Sequence, residues 1–321
     1  MARKREIVAQ AKKTKTPNVI SYDIQKNFFI EDCISRNLKE SSIAQYNFFI
    51  IYFQTYLKQN NHTMLVDMIE ESDIQGFISY LRNQRRNQQS SINSAIRHLR
   101  PFFNYMTNKK VITINPMANI KKGKEDQKPI IPFTHEQVQK LLKTPDKTHF
   151  VGFRDVCIML VLCDTGMRIS ECLNIRYEDI NFETGSIILK TTKNRTSRVV
   201  GIGEPVRKEI KRFIKSWLPA IKRTDYIFQS YDGEHNLSIR TFQENFKEYG
   251  IKANIEGVRV SPHTARHYFA INFLKNGGST SSLRTVLGHI DLKVVEKYLY
   301  WSDSEVVEQN IRYSPMNQLN I

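Results

Sequence analysis

Between Ser261 and Trp301 the chain reads S-P-H-T-A-R-H, then an apolar helical stretch, then L-G-H-I-D-L-K-V-V-E-K-Y-L-Y-W. This one stretch holds His263, Arg266, His267, His289 and Tyr298. Upstream, Arg168 stands in D-T-G-M-R-I-S-E-C-L and Lys193 in T-T-K-N-R-T-S-R-V-V. Arginine, lysine, histidine and tyrosine are the side chains needed to hold a phosphodiester, attack it and protonate the oxygen that leaves. Guanidinium is planar and permanently charged, and it pairs bidentately with phosphate oxygens. Lysine and histidine move protons, and a tyrosine hydroxyl forms covalent intermediates.

Taken singly, each residue has an ordinary reading. His263 and His267 have the i, i+4 spacing of a zinc pair. Arg266 would put a positive charge into such a site, however, and no glutamate follows the first histidine as in H-E-x-x-H. No metal is therefore expected, and His267 reads as a core residue. His263 and Arg266 are three apart and share a helix face. Arg168 opens a helix, where free N–H groups favour an anion, but a salt bridge to Glu171 at i+3 would serve it equally. Lys193 at a hairpin tip can be a solvated lysine, His289 a helix cap and Tyr298 a core residue.

The elements that must carry these residues follow from periodicity. Ile24, Phe28, Phe29 and Cys33 recur at helical spacing, as do Ile43, Tyr46, Ile50, Phe53 and Leu57. Ser41 or Ser42 is expected to cap the second helix. Asp73 is expected to cap a third, with Phe77, Ile78 and Leu81 inward. A fourth runs from about Ser90 through Ile92, Ile96, Leu99 and Phe103, with a kink expected at Pro101. Arg82, Arg85, Arg86, Arg97 and Arg100 gather at the third and fourth helices, as a solvated face or as phosphate contacts.

Residues 113–132 are polar, with three prolines and several lysines, and read as a linker. Two domains so joined could close around a duplex as a clamp. Beyond it, Thr134 caps a helix holding Val138, Leu141 and Leu142. Phe153 to Leu162 is a helix apolar on most sides, ending at Thr165-Gly166. Ser186–Lys190 and Arg198–Ile202 are two strands of a hairpin with Lys193 in its loop. Glu204–Leu218 is helical, Tyr226–Phe228 a short strand, Ser238 a cap, and Pro262 the start of the helix with His263 and Arg266. Short helices are expected at Ser282–Leu287 and Leu292–Tyr300. The fold class is thus mainly α with a small β-sheet. The expected order is a basic flexible tail (1–19), a helical domain (20–112), a linker (113–132) and a mixed α/β domain (133–321).

Composition narrows the partners. Of 321 residues, 48 are Lys or Arg against 32 Asp or Glu, a net charge of +16, which favours nucleic acid. The tail alone carries Arg3, Lys4, Arg5, Lys12, Lys13 and Lys15. No apolar run is long enough for a transmembrane helix, and the N-terminus lacks a signal-peptide core. A cytoplasmic, DNA-associated protein without membrane partners is expected. Cys33, Cys157, Cys163 and Cys172 form no C-x-x-C pair and read as reduced core residues. No G-x-x-x-x-G-K-[ST] loop is present, and no cofactor is expected.

In order and spacing, these boxes resemble the tyrosine recombinases, or phage-integrase family, and within it the Xer-like members. Asp164 to Leu173 is similar to the family's first arginine box, and Lys193 to Val200 to its lysine hairpin. His263, Arg266 and His267 match H-x-x-R-H. Leu287-Gly288-His289, with Tyr298 nine residues after the histidine, matches the nucleophile box. The resemblance runs from about residue 20 and includes the helical domain and the I-N-P of the linker. Departures are Ala265 where leucine is usual, Val295 where threonine is frequent, and Tyr300 where histidine is frequent.

The resemblance implies a helical core-binding domain and a catalytic domain that clamp a double-stranded core site. It implies that Arg168 and Arg266 hold the scissile phosphate, with Glu171 orienting Arg168. His289 would add a donor, and His263 would accept the tyrosine proton or bind phosphate. Lys193 would protonate the leaving 5′ oxygen, and Tyr298 would attack to give a 3′-phosphotyrosine. It further implies four protomers on two duplexes, a Holliday junction, and docking of Ser302–Ile321 on the next subunit. A type IB topoisomerase and a DNA-binding regulator without catalysis are the alternatives. Target sequence, accessory proteins, and the choice among dimer resolution, integration and inversion are not encoded in these motifs.

Overall fold

The computed structural model describes residues 21–62, 64–125, 131–190 and 197–288, with Val307, Ile311, Arg312 and Ser314. The basic tail, Lys193, His289, Tyr298, Tyr300 and the expected Leu292–Tyr300 helix lie outside the described residues. The chain divides into two compact units, Met1–Gln127 and Lys128–Ile321. No helix among the described residues is long and apolar enough to cross a membrane.

The first unit is helical: α1 (Tyr22–Ser35), α2 (Glu40–Gln59), α3 (Glu71–Ser79) with a π-helical turn at Tyr80–Gln84, and α4 (Gln89–Asn108). Its core is aromatic. Tyr22, Phe29, Phe53, Phe77, Phe102 and Phe103 are buried, and most of their rings meet edge to face. Each such side chain contributes about 1.5–3 kcal/mol on burial. α4 runs through Pro101 without ending. A mid-helix proline costs about 3 kcal/mol, and burial of Leu99, Phe102 and Phe103 beside it offsets that.

Two expected caps are placed differently. α2 begins before Ser41, with Lys39 at its cap position. Asp73 sits inside the first turn of α3, where its carboxylate accepts the Glu70 backbone N–H at 2.9 Å. Arg100 has a structural partner: its guanidinium donates to the carbonyls of Met117 (2.8 Å) and Ile120. Asn93 likewise holds both backbone groups of Gly123. Part of the polar stretch after residue 112 is thereby laid along α4, with Met117 and Ile120 buried.

The second unit contains α5 (His135–Lys143), α6 (Phe150–Thr165), α7 (Ile169–Leu173), strands β1 (Ile180–Asn181), β2 (Ser186–Leu189) and β3 (Arg198–Gly201), then α8 (Glu204–Trp217), α9 (Ile239–Lys252), α10 (Pro262–Lys275) and α11 (Thr280–Leu287). The strands form an antiparallel sheet in the order β1-β2-β3. Ile187, Leu189 and Val200 face the core, while Ile188 and Val199 are exposed, the alternation of a half-covered sheet. The fold is mainly α with a small sheet, as the periodicity implied.

α6 is the centre of this unit and is buried nearly all round. Its Arg154 and Asp155 form a buried ion pair at 2.9 Å. Gln229 O, Asn245 and Tyr249 satisfy the pair's remaining hydrogen bonds. Gly152 lets the backbone at Asp146 approach, since a Cβ there would lie 2.0 Å from the Asp146 carbonyl oxygen. The four cysteines are free; burial pushes the Cys163 thiol up to about 12. Tyr226–Phe228 is not a regular strand: it bonds the Ile175–Tyr177 backbone, which turns away into the 3-10 turn Tyr177–Asp179.

Candidate active site

The site begins where α6 ends. Gly166 adopts φ 61°, the left-handed conformation that stops a helix. A Cβ there would also meet the Phe269 ring at 2.3 Å. The chain then reaches Arg168 in extended backbone, and α7 starts at the next residue. The Glu171 carboxylate folds back over this start. It accepts the Arg168 backbone N–H at 2.8 Å and the Arg168 side chain at 3.2 Å. The sequence offers an anion or Glu171 as the partner of Arg168. The structure shows the Glu171 contact, made by only one guanidinium nitrogen, with the side chain 45% exposed.

Arg266 comes from α10, which Ser261 caps by accepting the Thr264 N–H. Its side chain is buried. One terminal nitrogen donates to Gly166 O at 2.6 Å and the other to Leu287 O at 2.9 Å. A single guanidinium thus ties the arginine box to the end of α11, and its plane is fixed by two carbonyls. His263, one turn earlier on α10, is exposed. Partial enclosure, and then the charges of Arg266, Arg259 and Arg168, pull its pKa below the ordinary histidine value. Those charges place Arg168 and Arg266 each within electrostatic reach of His263. Arg259 is not among the residues that the sequence motifs single out.

His267 is half-buried. Burial, then His263 and Arg266, lower its pKa from 6.5 to about 4. Its folded pKa lies below its unfolded one, so the unfolded chain takes up the proton first as pH falls. The contribution is full above about pH 6.5 and is lost as pH drops toward about 4. His267→Asn should therefore flatten the fall in urea midpoint between pH 7 and pH 5. An identical fall in both proteins would remove His267 as its cause.

α11 ends at Leu287, and Gly288 turns the chain at φ 72°. His289 is the next residue. Arg198, the first residue of β3, reaches this turn. Its Nε donates to Val286 O at 3.0 Å, and its two terminal nitrogens donate to the two Glu171 oxygens at 2.8 Å each. A Cβ on Gly288 would lie 2.8 Å from Arg198. Sequence reasoning treats Arg198 only as a strand residue. The available signal is a carboxylate with two oxygens, assigned to one arginine.

Of the six expected site residues, the structure brings Arg168, His263 and Arg266 together. Lys193 lies outside the described residues, between Leu189 and Arg198 in sequence, which pair across β2 and β3. His289 and Tyr298 follow the described end of α11.

The arrangement can bind and polarise a phosphodiester: two arginines, one with its plane fixed, beside a histidine held neutral at pH 7. The family model described as Phage integrase family matches residues 132–305. That described as Phage integrase, N-terminal SAM-like domain, matches residues 27–113. The tyrosine recombinase XerD of Listeria monocytogenes is 26% identical over 282 residues, which cover 87% of this chain and 94% of that protein. Among solved structures, the Tn1549 transposon integrase in complex with a circular intermediate DNA aligns with a TM-score of 0.70 at 18% identity, covering 91% of this chain and 99% of that one. The XerH site-specific recombinase bound to a palindromic difH substrate gives 0.67 at 19% identity, covering 85% and 80%.

Proposed function

The chain belongs to the phage integrase family and is a Xer-like tyrosine site-specific recombinase, and from that premise we propose that it cleaves and rejoins duplex DNA with Tyr298 as nucleophile. The observation that carries this reading is the Arg266 bridge. It joins the turn that leads to Arg168 with the turn that leads to His289.

In this mechanism Arg168 and Arg266 face the nonbridging oxygens of the scissile phosphate and balance the charge that builds there. His289 adds a donor to the same oxygens. An ordinary tyrosine hydroxyl has a pKa of about 10 and needs such a cationic setting to react. Tyr298 Oη attacks phosphorus and gives up its proton, which neutral His263 accepts. The bond to the 5′ oxygen breaks, and Lys193 Nζ protonates that oxygen. The product is a 3′-phosphotyrosine and a free 5′ hydroxyl. Attack by a 5′ hydroxyl from the other duplex reverses the chemistry with exchanged strands. The phosphodiester energy is kept in the phosphotyrosine, so no nucleotide is consumed, and the side chains supply the charge without a metal. Four protomers on two duplexes would pass through a Holliday junction in the cytoplasm.

A covalent capture experiment tests it. Protein denatured in the presence of genomic DNA should carry linked fragments with a common site. Two copies of that site on a plasmid should then recombine. Relaxation of supercoils without exchange would instead favour topoisomerase chemistry, and sequence-specific binding without linkage a regulator.

Lys193→Ala should slow cleavage of ordinary DNA by about a hundredfold. It should slow a 5′-bridging phosphorothiolate far less, because sulfur leaves without a proton. Equal slowing on both substrates would take Lys193 out of the general-acid role.

A further inference from the structure

We propose that Arg198 is a positioning residue for strand cleavage: it engages both Glu171 oxygens, so that the Arg168 side chain keeps only a single-nitrogen contact with that carboxylate, and it ties the carboxylate to the turn that ends α11. This rests on the cleavage reading above and adds a residue to it.

The geometry is specific. Arg198 presents its whole donor edge, with Nε on Val286 O at 3.0 Å and both terminal nitrogens on the two Glu171 oxygens at 2.8 Å. Both side chains are 13% exposed, so the pair is largely shielded from water, where charge-assisted bonds are strong. The same carboxylate touches Arg168 more weakly, through one side-chain nitrogen at 3.2 Å. Arg198 and Arg168 therefore compete for one anion, and Arg198 holds the better geometry. Without Arg198, Glu171 would be free to pair bidentately with Arg168 and neutralise the cation that must meet phosphate.

The second half of the contact lies at α11. Val286 O and the space over Gly288 are both occupied by the Arg198 guanidinium. The residue after Gly288 is His289. Arg198 itself follows Lys193 by five residues in sequence. One side chain thus ties the start of β3 to the start of α7, beside Arg168, and to the end of α11.

Burial works against the Glu171 carboxylate. Hydrogen bonds from Arg198 and from the Arg168 backbone, with the charges of both, outweigh it and hold the carboxyl below its ordinary range. Removing Arg198 takes away the largest of these lowering contributions. The Glu171 pKa should then rise.

The test uses the full chain and a nicked duplex bearing a site recovered by covalent capture. Arg198→Met should bind this duplex within about threefold of the unsubstituted protein, yet cleave it about a hundredfold more slowly in a single turnover. Arg198→Lys, which restores the charge but not the three-donor edge, should recover about tenfold of that loss. Glu171→Gln, which removes the anion that Arg198 restrains, should slow cleavage less than Arg198→Met does, and the double variant Glu171→Gln, Arg198→Met should be no slower than Arg198→Met alone. If Arg198→Met does not fold, Arg198→Lys and Glu171→Gln decide. The proposal is overturned if the foldable Arg198 variants cleave within about threefold of the unsubstituted protein, or lose binding and cleavage in equal measure. It is also overturned if the losses multiply in the double variant. Failure of the unsubstituted protein to form any adduct would instead defeat the cleavage reading, and the proposal with it.

Discussion

Arg266→Ala is expected to reduce strand cleavage by about three orders of magnitude, near the upper range for loss of one preorganised donor. Two effects combine. The variant loses a positive charge at the phosphate, and it loses the hydrogen bonds to Gly166 O and Leu287 O. Those carbonyls are then left to find new partners, so the thermal midpoint should fall as well. Arg266→Lys separates the two effects. Its ammonium restores the charge but cannot span both carbonyls with a fixed plane. It should recover part of the stability while cleavage stays about a hundredfold down. A variant at Arg266 that cleaves within about tenfold of the unsubstituted protein would show that this guanidinium is a structural strut only.

Tyr298→Phe is expected to remove covalent adduct formation altogether and to leave site binding within about twofold. The reason is chemical: the attacking oxygen is gone, while the arginines that hold phosphate remain. Tyr300→Phe is expected to cleave. The pair matters because the two tyrosines lie two residues apart. Only the spacing from His289 distinguishes them. Adduct formation by the Tyr298 variant, together with its loss in the Tyr300 variant, would move the nucleophile.

Much of this was legible in the chain because it depends on local rules. Thr165-Gly166 ends α6 where a left-handed residue is needed, and Thr134, Ser238 and Ser261 cap their helices through side-chain oxygens. The hairpin strands follow from alternation in Ile187–Leu189 and Val199–Val200. Features that depend on distant partners were not legible. Asp73 has the same residue type whether it caps a helix or reaches back from its first turn. Arg100 reads as one more surface cation until the carbonyls of Met117 and Ile120 are brought to it.

The site divides in the same way. Arg168, His263 and Arg266 were singled out by residue type and spacing. The two carbonyls on Arg266 could not be, because Gly166 and Leu287 lie 100 and 21 residues away in sequence. Arg198 was missed for the same reason. Its partners Glu171 and Val286 lie on either side of it in sequence and meet it only in the fold.

The most direct measurement is made on the unsubstituted protein. The reaction with its site DNA is stopped in detergent, nuclease and trypsin remove what is not linked, and the joined peptide is identified by mass. Cleavage after Lys297 and Arg312 gives one peptide holding both Tyr298 and Tyr300. Fragmentation between them assigns the link. The expected product is a nucleotide joined through its 3′ phosphate to Tyr298, with a free 5′ hydroxyl on the cut strand. A link through a 5′ phosphate, a link to any other residue, or no linked peptide would contradict cleavage through Tyr298.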